Sequence, residues 1–196
     1  MARYDKGHRD ATRSHILDVA SAQFRESGIA AVGLAGIMSA AGLTNGAFYT
    51  HFESKEDLVR AALLEALERR EQRLKDNLAN GIAFETTIRD YLSPRHRDRA
   101  ASGCPTAALV SEIARHPKTT REAFTAKMSD IIALLAEQLP QGSADDRRRG
   151  AIAIYATMVG ALQLSRAVSD RQLSEEILEN AVEAAIKLGG GPRTDR

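Results

Sequence analysis

Between Gly33 and Phe52 the sequence reads Gly-Leu-Ala-Gly-Ile-Met-Ser-Ala-Ala-Gly-Leu-Thr-Asn-Gly-Ala-Phe-Tyr-Thr-His-Phe, and this stretch constrains the fold more than any other. Leu34, Ile37, Met38 and Ala41 recur at helical spacing and predict one apolar face. Gly42 follows where a helix ends by turning left-handed, a conformation that only glycine adopts without steric cost. Leu43 plugs the turn, and Thr44 is a helix N-cap whose hydroxyl can take a free backbone N–H. Asn45 to His51 then predicts a second helix of about two turns. Two short helices around a glycine-containing turn form the helix-turn-helix pattern, whose second helix enters a DNA major groove.

The second helix carries the chemistry such a role needs. Gly46 and Ala47 leave its leading face almost bare, so its backbone can approach a phosphate or base edge. Phe48 and Phe52, four apart, share a face and are expected to pack inward. Tyr49, His51 and Lys55 are assigned mainly to phosphate contacts, with Arg13 on the first turn of an earlier helix. Thr44, Asn45 and Thr50 are assigned partly to base edges; phosphate contacts set register, and base contacts set sequence.

Gly42-Leu-Thr-Asn-Gly-Ala-Phe-Tyr-Thr-His-Phe-Glu-Ser-Lys-Glu-Asp-Leu58 resembles the signature of the TetR/AcrR-type (tetracycline-repressor-like) transcription regulators. The likeness covers residues 9–69. It implies an all-α fold of about nine helices: a three-helix DNA-binding domain over 9–69, with the helix-turn-helix at 33–52, and an effector-binding and dimerisation domain over 70–188. Residues 189–196 are expected to be a disordered tail. The resemblance further implies a homodimer paired through the last two helices of each subunit, a double-stranded operator of pseudo-palindromic sequence, and a small-molecule effector that releases it. Many members carry Ser or Thr, then Arg two residues on, at the start of the first of these two helices. Gly33 and Ala35 stand there, so a phosphate-contacting hydroxyl and a base-reading guanidinium are missing.

Charge alone does not suggest DNA. The net charge is +1, and residues 1–60 hold seven basic and seven acidic side chains. Only one cysteine occurs, which excludes an internal disulfide framework and suits a reducing cytoplasm. No apolar run reaches the roughly 20 residues of a membrane span and no signal peptide is visible, so a soluble, cytoplasmic protein without a membrane partner is expected.

Along the chain, residues 1–9 lack apolar periodicity and read as a mobile arm in which Arg3, Lys6 and Arg9 are solvated, with contact to phosphates or a minor groove as the sharper alternative. Ile16, Leu17, Ala20 and Phe24 stripe a helix ending at Gly28. Ser54-Lys-Glu-Asp57 resembles a capping box and opens a long helix through Leu58, Leu63, Leu67, Leu74 and Leu78. Its sign-alternating middle, Glu68 to Asp76, reads as a solvated face. Phe84 to Tyr91 predicts a short helix, and Ser93 to Gly103 an exposed loop bearing Arg95, His96, Arg97 and Arg99, with entry of an anionic effector as the sharper alternative. Thr120–Leu139, a helix capped by Ser143, and a last helix capped by Ser174 complete the chain.

Phe84, Tyr91, Cys104, Leu109, Phe124, Met128, Tyr155 and Met158 are the candidate effector-pocket residues, though any one of them taken singly reads first as ordinary core. Pro105 fits a helix N1 position and puts Cys104 at a helix N-terminus, where a thiol is either a small packing residue or a redox or electrophile sensor. No catalytic constellation, cofactor motif or metal-ligand cluster is recognised, so an enzyme is not expected. A helical interaction module that has lost DNA binding is the remaining alternative.

Overall fold

The computed structural model describes residues 2–140 and 142–190, with side chains from residue 7 onward. Among these residues the chain is all-helical, with ten α-helices and one short 3-10 turn. They fall into two compact units that interleave in sequence. The first takes residues up to Glu68 together with Ala100–Phe124, and the second takes Arg69–Arg99 and the chain from Thr125 on.

The first unit contains α1 (Ala2–Ser27), α2 (Leu34–Ala40), α3 (Asn45–Phe48), the start of α4 (Lys55–Ala79), the 3-10 turn Ala100–Ser102, α7 (Pro105–Ile113) and the start of α8 (Lys118–Glu137). Helix α1 packs on α2, α7 and the 3-10 turn, burying Ile16, Leu17, Ala20 and Phe24 as their spacing predicted. Arg25 fixes it there by donating to the Ala101 carbonyl at 2.7 Å. Gly28 ends α1 at φ +84°, and a Cβ there would lie 2.9 Å from a Glu112 carboxylate oxygen. That carboxylate accepts the backbone N–H groups of Ile29 (3.1 Å) and Ala30 (2.9 Å), so the α1–α2 connection is clipped to α7. At the other end of the same surface Glu56 accepts from Thr120 Oγ1 at 2.6 Å and pairs with His116 Nδ1 at 2.9 Å.

The second unit holds the rest of α4 and α8, with α5 (Phe84–Tyr91), α6 (Pro94–Asp98), α9 (Ala144–Ala167) and α10 (Arg171–Leu188). Helix α10 packs along α9 and against α5, over a core that includes Ile88, Ile131, Leu135, Ile154, Met158, Leu162 and Leu178. Ser143 and Asp146 form the full capping box that opens α9.

Five sequence expectations are corrected. Helix α1 begins at Ala2, so residues 2–9 are helical rather than an arm; Thr12 Oγ1 donates back to the His8 carbonyl at 2.9 Å inside it. The side chains of Arg3 and Lys6 lie outside the described residues. The expected loop after Ser93 is largely α6 followed by the 3-10 turn, because Ser93 caps and Pro94 supplies a ready-made φ at N1. Within it Arg97 is only 7% exposed, pairing with Asp98 at 2.7 Å and donating to Ser174 Oγ at 2.9 Å. Ser174 is therefore not the cap of α10. Asp170 is, accepting from Leu173 N at 2.8 Å, while the buried Ser174 hydroxyl donates to the Ser165 carbonyl at 2.6 Å. The middle of α4 is not wholly solvated: Glu71, 8% exposed, sits between Lys75 (2.5 Å) and Lys127 (3.0 Å), whose hydrogen bonds hold its carboxyl below the usual range. Leu78, placed on the apolar stripe by spacing, is exposed. Of the tail, Gly189 caps α10, and residues 191–196 lie outside the described residues. No helix among the described residues is long and apolar enough to cross a membrane.

Candidate nucleic-acid interface

Helix α2 ends in a complete Schellman turn. Gly42 takes φ +70°, its N–H bonds the Ser39 carbonyl at 3.0 Å, and the Leu43 N–H reaches back to Met38 at 2.9 Å. This turn delivers the chain to Thr44, the N-cap of α3 in extended conformation. The Thr44 hydroxyl accepts no backbone N–H, against expectation. The second helix is also shorter than expected. Only Asn45–Phe48 is α-helical; beyond it Thr50 and His51 bond back three residues, at 3.2 and 2.9 Å, and the helix tightens. A glycine, two β-branched threonines and three aromatics within nine residues explain why it does not propagate. Packing holds it instead. Phe48 and Phe52 are buried and stacked at 5.6 Å, and Ile37 and Met38 of α2 are fully buried as well.

What remains outside is a compact polar face. Thr44, Asn45, Gly46 and Thr50 are exposed, Ala47 half-buried, and Tyr49, packed edge-on against Phe48, is 73% exposed. A Cβ added at Gly46 would meet only Thr44 Oγ1, at 4.0 Å, so the backbone there is open to close approach. The Thr50 hydroxyl donates to the Ala47 carbonyl at 2.7 Å.

Two arginines of α1 clamp the end of this element. Arg9 donates to the Thr50 carbonyl at 2.7 Å, satisfying an oxygen that the helix end leaves free. Arg13 lies over the Phe52 ring, 4.9 Å from its centroid. Burial of the His51 ring, with these two guanidiniums close by, lowers its pKa below the ordinary histidine value, so at neutral pH it is an uncharged group. Its Nδ1 is buried and has no hydrogen-bond partner among the described residues, which removes one of the two ring nitrogens from any phosphate role. Lys55 is placed differently from the rest: its ammonium donates to the Ile29 carbonyl at 2.9 Å, beside Glu56 and His116. The sequence places Arg9 on a solvated arm or on DNA phosphates; its bond to the Thr50 carbonyl joins residues 41 apart and is not readable from spacing. Gly33 is the N-cap of α2 without a side-chain cap, Ala35 is exposed, and the space around Gly33 is open.

The eight candidate effector residues do not gather in one unit. Phe84, Tyr91, Met128, Tyr155 and Met158 belong to the second, and Cys104, Leu109 and Phe124 to the first. Tyr91, Leu109, Tyr155 and Met158 are buried, while Phe84, Phe124 and Met128 are half-buried. Cys104 is the N-cap of α7, as Pro105 implied, and is 2% exposed. A cleft of about 540 Å³ in the first unit is lined by Ile29, Lys55, Glu56, Glu112, Arg115 and His116 among others, and by none of the eight.

Two family models match. "Bacterial regulatory proteins, tetR family" covers residues 16–62, and "Transcriptional regulator LmrA/YxaF-like, C-terminal domain" covers residues 81–181. The HTH-type transcriptional regulator AcrR of Shigella flexneri is 48% identical over 58 residues, 30% of this chain and 27% of that protein. The HTH-type transcriptional repressor KstR2 of Rhodococcus jostii is 28% identical over 109 residues, 56% of this chain and 53% of the relative. These two matches thus span about a quarter and about half of those relatives. The crystal structure of the reduced form of Escherichia coli NemR superposes with a TM-score of 0.74 at 25% identity, covering 90% of this chain and 96% of that one.

Proposed function

Because the chain belongs to the TetR family of bacterial regulatory proteins, we propose that it is a DNA-binding transcriptional repressor that acts as a homodimer in the cytoplasm and is released by a small molecule. The observation that carries this is the second helix of the helix-turn-helix. Its apolar side is sunk into the core by Phe48 and Phe52, and its free side presents Thr44, Asn45, Tyr49 and the open backbone of Gly46. A bare, rigidly seated helix face of this kind suits close contact with a major groove. Tyr49, Arg13 and Lys55 serve backbone contacts in this reading, and Asn45 and Thr44 serve base edges. Residues 9–69 are the DNA-binding domain, and 70–188 hold the effector and the dimer contact. Repression rather than activation is supported by the relatives named as repressors.

Dimerisation is supported by what α9 and α10 leave uncovered. Ile152, Ala156 and Leu164 lie exposed along α9 with Gly160 between them, and Leu173 and Leu188 are exposed on α10. A second copy presenting the same two helices would cover both stripes in a four-helix contact.

Fluorescence anisotropy on DNA from upstream of the protein's own gene, beside a scrambled duplex and at several salt concentrations, tests the reading. Binding that prefers the native fragment and weakens steeply with salt is expected, since neutralised phosphates release counterions. Equal, salt-insensitive binding to both duplexes overturns it in favour of a helical module without DNA recognition.

A further inference from the structure

Arg70 on α4 carries a buried donor that no described residue satisfies. It is half-buried, with its Cζ 4.9 Å from the centroid of the Tyr91 ring. Its Nε is fully buried and finds no hydrogen-bond acceptor among the described residues. A buried donor left without a partner costs free energy, and a guanidinium offers a fork that matches carboxylate and phosphate oxygens. Its neighbour Glu71 is not available to fill that place, being committed to Lys75 and Lys127.

The groups next to Arg70 reinforce the argument. The Tyr91 ring meets His96 edge-on at 4.7 Å, and His96 Nδ1 donates to the Tyr91 carbonyl at 2.7 Å. Arg166 closes the far side by donating to the carbonyls of Arg97 and His96, at 3.0 and 2.9 Å. Burial is the largest reason that the His96 pKa falls to about 4, and Arg70, Arg166 and Arg73 push it the same way, opposed only by the Tyr91 carbonyl. Cations therefore converge on a neutral ring. Asp98, on the same short helix as His96, already pairs with Arg97 at 2.7 Å.

We propose that Arg70, with Arg166 and Arg73 around Tyr91 and His96, is a seat for the carboxylate or phosphate group of an anionic small molecule. This deepens the effector reading above and rests on it, by naming the charge of the ligand. The anion completes the Arg70 fork and relieves the repulsion among the arginines, with the Tyr91 ring as its apolar floor. Sequence reading had named a basic loop as an anion entry; α6 provides His96, and the cations come from α4 and α9.

The test uses the full chain. Thermal melting and the NMR titration of the His96 ring are followed with sodium octanoate, with octan-1-ol, with sodium phosphate, and with sodium chloride at matched ionic strength. Octanoate, phosphate or both should raise the melting temperature saturably and move the His96 midpoint upward from about 4. Octanoate alone would identify a carboxylate amphiphile, and phosphate alone a phosphorylated ligand. Arg70→Met should weaken that response at least tenfold while its ligand-free melting temperature is no lower than the parent's and its DNA binding is unchanged, and Arg70→Lys should recover part of it. A response as large with octan-1-ol or sodium chloride, or one unchanged in Arg70→Met, overturns the proposal. DNA binding is read by anisotropy on the same samples, so absence of an anion response with DNA binding intact rejects the anion seat alone.

Discussion

At Gly46 the absence of a side chain has two separable consequences. A methyl group there meets nothing closer than Thr44 Oγ1 at 4.0 Å, so the fold has room for it, and alanine favours the helix by about 1 kcal/mol over glycine. Gly46→Ala should therefore melt at the same temperature as the parent or higher. If the backbone of α3 approaches DNA closely, the same methyl group should weaken operator binding at least about tenfold, or about 1.4 kcal/mol. Unchanged affinity in an anisotropy titration would show that this edge does not touch DNA. His96 makes a prediction of opposite character, about stability alone. Its pKa of about 4 in the folded chain lies below the unfolded value of about 6.5, so the unfolded chain binds the extra proton between these limits. The stability it contributes is complete above pH 6.5 and is lost as the pH falls toward 4, by roughly 2 kcal/mol once screening of a partly exposed ring is allowed for. Urea denaturation at pH 7 and pH 5 should show a smaller drop for His96→Gln than for the parent. An equal drop would place the titration elsewhere. Much of this was visible in the sequence by spacing: Phe48 and Phe52 inward, Tyr49 outward. The engagement of Lys55 with the Ile29 carbonyl and of Arg9 with Thr50 was not, because each bond joins residues that are distant in sequence.

Among the elements, α2 offers a controlled comparison between two glycines. Gly42 sits at φ +70° in the Schellman turn, where any Cβ is strained whatever the space around it. Gly36 lies inside α2, exposed, with nothing within 4 Å of an added Cβ. Gly42→Ala should destabilise the protein by about 1 kcal/mol, and Gly36→Ala should stabilise it by about 0.5–1 kcal/mol. Chemical denaturation of both variants settles the pair; a gain at position 42 would mean the turn does not need its left-handed residue. Elements announced by local punctuation were legible from sequence alone, including the glycine that ends α2, the Ser143–Asp146 box before α9 and the proline that opens α7. Those decided by distant partners were not. Ser174 looks like a cap until Arg97 and the Ser165 carbonyl claim its hydroxyl, and Glu71 looks solvated until Lys127 arrives from α8. Helix α3 is an intermediate case: its start was readable, while its early stop reflects residues with little helix preference held by aromatic packing.

For the whole molecule, the surplus of apolar residues on α9 and α10 admits two accounts in sequence, burial within one chain or contact with a second copy. Ile154, Met158, Leu162 and Leu178 are consumed by the second unit, while Ile152, Leu164, Leu173 and Leu188 stay exposed. Leu164, at 58% exposure, is the probe of choice because more than half of its surface faces outward in the single chain. Leu164→Glu should keep the helical content of the parent, while its melting midpoint falls by the share that association contributes at that concentration. A buried leucine is worth about 1.5–3 kcal/mol, and the twofold axis doubles every change, so the dimer should dissociate by at least about a hundredfold. Sedimentation velocity reads this directly. The consequence for DNA follows from effective concentration: a monomer engages one half-site and gains nothing from the second. Affinity for a two-half-site operator should fall with dimer formation, and the slope of log affinity against log salt should drop to about half, since half as many phosphates are neutralised. A Leu164→Glu protein that remains dimeric and keeps the full salt slope would move the interface away from α9.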